Sequence, residues 1–364
     1  MTEEANRVSV FVGTYTRMEG HLITANGKGI YVYEFDLSTG ELSYQSEIHG
    51  VVNPSFLTIG PHGKTLFATS EIGQAEPGGL SSYAIDQKTG DLAHLNTVDS
   101  GGSSACYVTV DQTGRYALIA NYSSGNVGIF PIRPDGSLAE ASDFQQHTGS
   151  GPNPNRQEGP HAHCIVIDPT SRYAFAADLG TDQIIGYLID FDGGKLVPHS
   201  QIKLAAGSGP RHLVFHPNGQ MAFVIQELSS EITALAYDPE LGRFEIIETV
   251  STLPADFVSE SHCADIHVSS DGRFLYGSNR GHDSIVIYAI DQTSGHLGLL
   301  GHQSTLGEVP RNFVIDPTGT YLLAANQNSD TVVTFRINRE SGLLSPTGYI
   351  AQAPTPVCLK MLQI

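Results

Sequence analysis

Seven copies of one short turn punctuate this chain at a nearly constant interval, and the interval restricts the fold more than any other feature. The turns centre on Gly40 (Ser-Thr-Gly-Glu-Leu), Gly90 (Lys-Thr-Gly-Asp-Leu), Gly136 (Pro-Asp-Gly-Ser-Leu), Gly194 (Gly-Gly-Lys-Leu), Gly242 (Leu-Gly-Arg-Phe), Gly295 (Ser-Gly-His-Leu) and Gly342 (Ser-Gly-Leu-Leu). Successive glycine numbers differ by 50, 46, 58, 48, 53 and 47. A repeat of about 40 to 50 residues built from strand-like segments is the mark of a propeller blade.

The interior of each repeat agrees. Segments with apolar alternation, such as Ile30 to Phe35 and Ser284 to Ile290, lie ahead of the turns. A second turn occurs earlier in several repeats, as in Asp316-Pro317-Thr318-Gly319, Ser270-Asp271-Gly272 and His216-Pro217-Asn218-Gly219. These residues supply the fixed proline φ and the left-handed positions that tight hairpins need. Helical periodicity never persists for about ten residues, which disfavours a parallel α/β fold. Six full repeats run from about Val51 to Ile350, with three strands before them, over Val8 to Ile48, and one after, over Val357 to Ile364. The prediction is an all-β, seven-bladed β-propeller of four-stranded antiparallel blades, residues 1–364 forming a single domain. Its first blade is closed by the C-terminal strand, which leaves no open edge.

Charge narrows the partners. The chain carries 19 Lys and Arg against 38 Asp and Glu, a net charge of −19, which argues against nucleic acid or an anionic membrane surface. The first residues, Met1 to Arg7, lack the features of a signal peptide, and no run of 18 apolar residues occurs, so a cytoplasmic protein is expected. Oligomeric state, monomer or dimer, stays open. Cys106, Cys164, Cys263 and Cys358 have no metal-ligand spacing and register near the starts of four blades' first strands. Buried, small apolar roles suit them better than a disulfide or a metal site.

Aligning the repeats on their earlier turn identifies equivalent positions. Six residues before the turn proline, or its equivalent, stand Ser55, Cys106, His163, Arg211, Ala264 and Arg311; ten residues after it stand Glu71, Tyr122, Leu179, Glu227, Arg280 and Gln327. The first set begins the innermost strands and the second ends the next strands, so both crowd one mouth of the central channel. That mouth would collect His161, His163, Arg211, His212, Glu227, His262, Arg280, Arg311 and Glu71. Three arginines at registered positions of so acidic a chain suggest an anion site, because guanidinium matches carboxylate and phosphate bidentately. The blander explanation is a wet channel whose polar groups satisfy one another, for instance through an Arg211–Glu227 ion pair. Strand alternation points His212 to the face opposite Arg211, as a core or hydrogen-bonded structural histidine, and puts His161 and His163 on a shared face.

The longest interval, 58 residues, holds an insertion, Thr148 to Glu158, rich in Gly, Pro and Asn. It runs into Pro160-His161-Ala162-His163, so Arg156, Gln157 and Glu158 are expected to cover a bound ligand, although a plain inter-blade connection would need no function.

These residues carry a resemblance. Phe11-Val12-Gly13-Thr14-Tyr15, Asn53-Pro54-Ser55, Arg156-Gln157-Glu158 with Pro160-His161-Ala162-His163, Asp178-Leu179-Gly180-Thr181-Asp182, Gly209-Pro210-Arg211-His212 and Asn279-Arg280-Gly281 recur in one family. Over nearly its whole length the chain resembles the seven-bladed propeller lactonases, a family with bacterial 6-phosphogluconolactonases and a fungal carboxy-muconate cycloisomerase among its members. The resemblance implies a catalytic set of His163, Glu227, Arg211 and Arg280, with His161 a substitute for His163. His161, Arg156, Arg311, Gln157 and Glu71 are then the expected substrate-binding residues. One of Glu227 and His163 would take a proton from water and the other protonate the leaving alkoxide, while an arginine stabilises the oxyanion. No metal or other cofactor is required, because arginines outnumber the carboxylates Glu71 and Glu227 at this mouth. The implied substrate is a small anionic sugar lactone, 6-phosphogluconolactone foremost, which would place the enzyme in the pentose phosphate pathway. Cycloisomerase action on a carboxylated muconate and non-catalytic ligand binding are the alternatives.

Overall fold

The computed structural model describes residues 7–73 and 78–364. They form seven four-stranded antiparallel sheets. The innermost strands are Leu57–Ile59, Ala105–Val110, Ala162–Ile167, Pro210–Phe215, His262–Val268, Pro310–Ile315 and Pro356–Gln363. Each touches the next, and Pro356–Gln363 touches both Pro310–Ile315 and Leu57–Ile59, so the sheets close into a ring. We number the blades from the one containing Arg7–Thr14, whose strand order is Pro356–Gln363, Arg7–Thr14, Gly29–Asp36, Leu42–His49. The last strand of the chain is therefore the innermost of blade 1, in register from Val8↔Gln363 to Thr14↔Pro356. All seven turn glycines have positive φ, between 57° and 86°, which is why this turn selects glycine.

Burial follows position in the blade. The second strands Tyr116–Asn121, Tyr173–Asp178, Met221–Gln226 and Tyr321–Asn326 are buried throughout, whereas outer strands such as Arg243–Ser251 alternate with solvent. The apolar core consists of clusters shared between neighbouring blades; Phe223, Leu275 and Val286, for example, join blades 5 and 6. The only helix among the described residues is the 3₁₀ turn Gln327–Ser329, and none is long and apolar enough to cross a membrane.

One irregularity recurs and positions the site. Near the start of six innermost strands the pairing slips: Ala105↔Asn121 is followed by Tyr107↔Ala120, Ala162↔Asp178 by Cys164↔Ala177, Pro210↔Gln226 by His212↔Ile225, and Pro310↔Asn326 by Asn312↔Ala325. Similar slips occur around Val357 in blade 1 and Ala264–Asp265 in blade 6. The residues left over include Cys106, His163, Arg211 and Arg311. A bulge frees a side chain from strict alternation and re-aims it. It also corrects the expectation for His212, which does not turn to the far face of its strand. Instead it packs edge-on against Phe56, Tyr107 and His163 and bonds Asp265 at 2.8 Å, so it reaches blades 2, 3, 4 and 6 across the axis. It is hydrogen-bonded and buried, as a structural histidine would be.

All four cysteines are free and buried at the starts of four innermost strands.

Candidate functional site

Above the His212 layer, one mouth of the channel holds a cavity of about 790 Å³. Its residues fall into two groups by blade.

The first group comes from blades 3 to 6 and the 148–158 insertion, and it centres on Glu227. This carboxylate follows the second strand of blade 5, and its backbone N–H bonds Gly209 O at 2.7 Å. Arg211 Nε donates to Oε2 at 3.0 Å, an Arg280 amino group lies 2.8 Å from the same oxygen, and Arg156 donates to Oε1. His163 Nε2 stands 3.9 Å from Oε2. Burial alone would raise the Glu227 carboxyl, but Arg280, Arg211 and Arg156 outweigh it and hold the group well below the usual carboxylate range. Burial and the Arg211 charge push the His163 imidazole well below its ordinary value. Burial, with Arg280 and Arg311 adding to it, also draws Arg211 down to about 10. Tyr122 walls this half, its ring stacked on His161 at 4.5 Å and edge-on to His163 at 5.3 Å.

The second group comes from blades 7, 1 and 2. Tyr15 donates to Glu71 Oε2 at 2.9 Å, and Arg311 lies 3.8 Å from Oε1 with its guanidinium over the Tyr15 ring. His21 Nε2 is 3.3 Å from the Tyr15 hydroxyl and 3.6 Å from Glu71 Oε1. Burial raises the Glu71 carboxyl, but Arg311 and His21 more than offset this and leave it below its ordinary value. The loop 15–28 that carries His21 is fixed at its root by Asn53, whose Oδ1 accepts from the N–H groups of Thr16 and Arg17 at 2.8 Å. The Asn53 amide also donates to Glu71 O, and Leu22 packs with Tyr15 and Val357.

Not every expected residue reaches the cavity. Glu71, Arg156, His163, Glu227, Arg280 and Arg311 line it, as do Cys106, Tyr122, His262 and Gln327. Arg211 lies beneath the lining, its side chain 3% exposed, and grips Glu227 from below while donating to Ala264 O. The Arg211–Glu227 pair that a self-satisfied channel would contain is therefore present. His161 stands behind Tyr122, with Nδ1 donating to Tyr122 O at 3.0 Å and Nε2 3.2 Å from Glu158. Gln157 is withdrawn from the expected ligand contact. It is fully buried, donates to Leu179 O and Asp182 Oδ1, and accepts from Asn153 N, so it ties the insertion down. Close packing there also explains Gly180: a Cβ would stand 1.9 Å from Gly159 O.

His21 and Tyr15 were missed because they precede the first turn glycine, where the repeat provides no register. A signal was present. The connection 15–28 stands where blades 3, 4, 5, 6 and 7 have only 122–125, 179–182, 227–230, 281–283 and 327–330. Among the described residues no group of three or more His, Cys, Asp or Glu is placed to hold a metal ion, and the two buried cavity carboxylates, Glu227 and Glu71, face guanidinium groups.

Comparison with known proteins agrees with this architecture. Residues 9–361 match the family described as "Lactonase, 7-bladed beta-propeller". The chain is 39% identical over 353 residues to the 6-phosphogluconolactonase of Bacillus subtilis, covering 97% of each chain. A Bacteroides fragilis structure assigned as a candidate 6-phosphogluconolactonase superposes with a TM-score of 0.91 at 36% identity, over 100% of this chain and 99% of that one. The periplasmic gluconolactonase PpgL of Pseudomonas aeruginosa superposes with a TM-score of 0.91 at 33% identity, over 98% of this chain and 99% of that one. The chain belongs to the seven-bladed β-propeller lactonase family.

Proposed function

We propose that this protein hydrolyses 6-phosphogluconolactone to 6-phosphogluconate in the cavity between Glu227 and Arg311. The observation that carries the reading is the charge of that cavity: four guanidiniums, three in its wall and Arg211 beneath it, stand against the two buried carboxylates Glu227 and Glu71, the lining's third carboxylate, Glu260, being exposed to solvent, in a chain of net charge −19. So local an excess of buried positive charge is costly unless an anion completes it. The names of the Bacillus and Bacteroides relatives supply the substrate.

The chemistry follows from what each group can do. Glu227 remains a carboxylate at neutral pH and has no proton to give, so it does not share acid and base duty with His163. His163 stays neutral, which leaves a lone pair to take a proton from water. Glu227 then stabilises the imidazolium. The water oxygen forms the new bond to the lactone carbonyl carbon, and Arg280 or Arg156 stabilises the developing oxyanion. As the ring C–O bond breaks, the imidazolium returns its proton to the leaving oxygen. The new carboxylic acid ionises and releases one proton to solvent. Arg211 supports Glu227 from beneath and does not meet the substrate.

Proton release from freshly prepared lactone, followed in weak buffer against the spontaneous rate, tests the reading. Wild type should accelerate hydrolysis with or without chelator. His163→Ala and Glu227→Gln should each lose about 10²- to 10⁴-fold. A wild-type rate no higher than the spontaneous one would refute the assignment. The gluconolactonase PpgL motivates a second reading, an unphosphorylated lactone, which the same assay examines with glucono-1,5-lactone. We also place the reaction in the pentose phosphate pathway and the protein in the cytoplasm, a compartment that suits its four free thiols. Cell fractionation tests the location.

A further inference from the structure

The four arginines in and beneath the cavity wall are not equivalent. Arg156, Arg211 and Arg280 share one carboxylate, Glu227, and Arg211 and Arg280 also donate to the carbonyls of Ala264 and Cys263. The Arg311 side chain makes no hydrogen bond among the described residues. Its closest carboxylate oxygen is Glu71 Oε1 at 3.8 Å, beyond hydrogen-bond reach, and the other Glu71 oxygen is taken by Tyr15. Yet the Arg311 side chain is only 11% exposed, and it lines the cavity. A largely desolvated guanidinium that meets its carboxylate only at 3.8 Å and lies in the cavity wall has hydrogen-bond donors left unmatched, which buried charges normally do not.

Its neighbours suit an anion. His21 reaches the same Tyr15–Glu71 pair and is half exposed on the cavity side, so it can add an N–H donor. The long loop 15–28 brings it there, where most other blades turn back within four residues. This cluster belongs to blades 7, 1 and 2, whereas the groups able to act on a lactone carbonyl belong to blades 3 to 6 and the insertion. A cavity of about 790 Å³ has room for a sugar lactone extended between the two.

We propose that Arg311, with His21, forms a phosphate subsite on the side of the cavity opposite Glu227, and that it decides between phosphorylated and unphosphorylated lactones. This rests on the reading that the Glu227 half performs lactone hydrolysis. The phosphate sits at the end of the substrate remote from the carbonyl, received bidentately by the Arg311 fork.

The test compares kcat/KM on 6-phosphogluconolactone and glucono-1,5-lactone for wild type, Arg311→Met, Arg311→Lys and His21→Asn. Arg311→Met should lose about 10- to 100-fold on the phosphorylated lactone, mainly through KM, and less than about 3-fold on the other. Arg311→Lys should recover part of the loss, and His21→Asn should show a smaller loss of the same selectivity. Equal losses of Arg311→Met on both lactones, with an unchanged melting temperature, would overturn the subsite. If Arg311→Met fails to fold, Arg311→Lys and His21→Asn decide by the same ratio. Inorganic phosphate provides a readout independent of turnover. It should raise the wild-type melting temperature and do so less for Arg311→Met and His21→Asn; equal shifts in wild type and these two variants would overturn the subsite. A wild type inert on both lactones would refute the hydrolytic reading and leave the phosphate shifts to judge the subsite.

Discussion

At Glu227 the decisive fact is that one carboxylate receives three guanidiniums. Removing water from so many charges is tolerable only when the geometry pairs them, and the pairing fixes what each group can do. Glu227 is held charged by arginine, and His163 is held neutral by burial and by Arg211. If His163 is the base, activity needs its unprotonated form, so the acid limb of kcat/KM must follow the folded histidine. That limb is expected below the ordinary value of about 6.5. A pH–rate profile with an acid midpoint at or above 6.5 would remove His163 from the role. At this scale the sequence was most informative where the repeat applied. Glu71, His163, Glu227, Arg280 and Arg311 share a rim because equivalent strand positions share it. It misplaced Gln157, which side-chain hydrogen bonds turn inward, and it had no register for His21.

Among the elements, two devices matter most: the bulge that opens the innermost strands and the strand that closes the ring. The bulge explains why Arg211 and His212, adjacent in sequence, both serve the channel; simple alternation separates them. It depends on how one strand pairs with the next, which no local pattern reveals. The closing strand was legible, because three strands at the start and one at the end leave a single way to complete a seventh sheet. Pro356–Gln363 buries Val357, Cys358 and Leu359, and the Leu359 N–H bonds Asn312 Oδ1 at 2.7 Å. Deleting residues 355–364 should cost on the order of 5 kcal/mol or more from apolar burial alone, besides exposing both edges of the gap. We expect a large fall in melting temperature or loss of soluble protein. A truncated chain that melts like the full one would contradict this account of closure.

Over the whole molecule, the acidic surface and the cationic cavity make acid the natural stress. His212 titrates near 6.5 when unfolded, but burial and then Arg211 lower it to about 4 when folded. Its contribution to stability is therefore complete above about pH 6.5 and is lost as pH falls toward 4, a difference on the order of 3 kcal/mol. Glu227 and Asp265, also lowered, contribute fully above the ordinary carboxyl range and lose that contribution below it. All three act in one direction, so the melting temperature should decline steadily from pH 7 to pH 4. A flat curve over that range would show that the axial charges are not coupled to folding. By itself the sequence determined the blade count, the closure and the rim on which charge collects, because a repeat converts spacing along the chain into angle around an axis. Only the tertiary structure decided which arginines are spent on Glu227, which residues lie behind the lining, and that Arg311 stands open to the cavity. Those outcomes depend on side chains from distant blades competing for the same partners, and that competition exists only once the ring has closed.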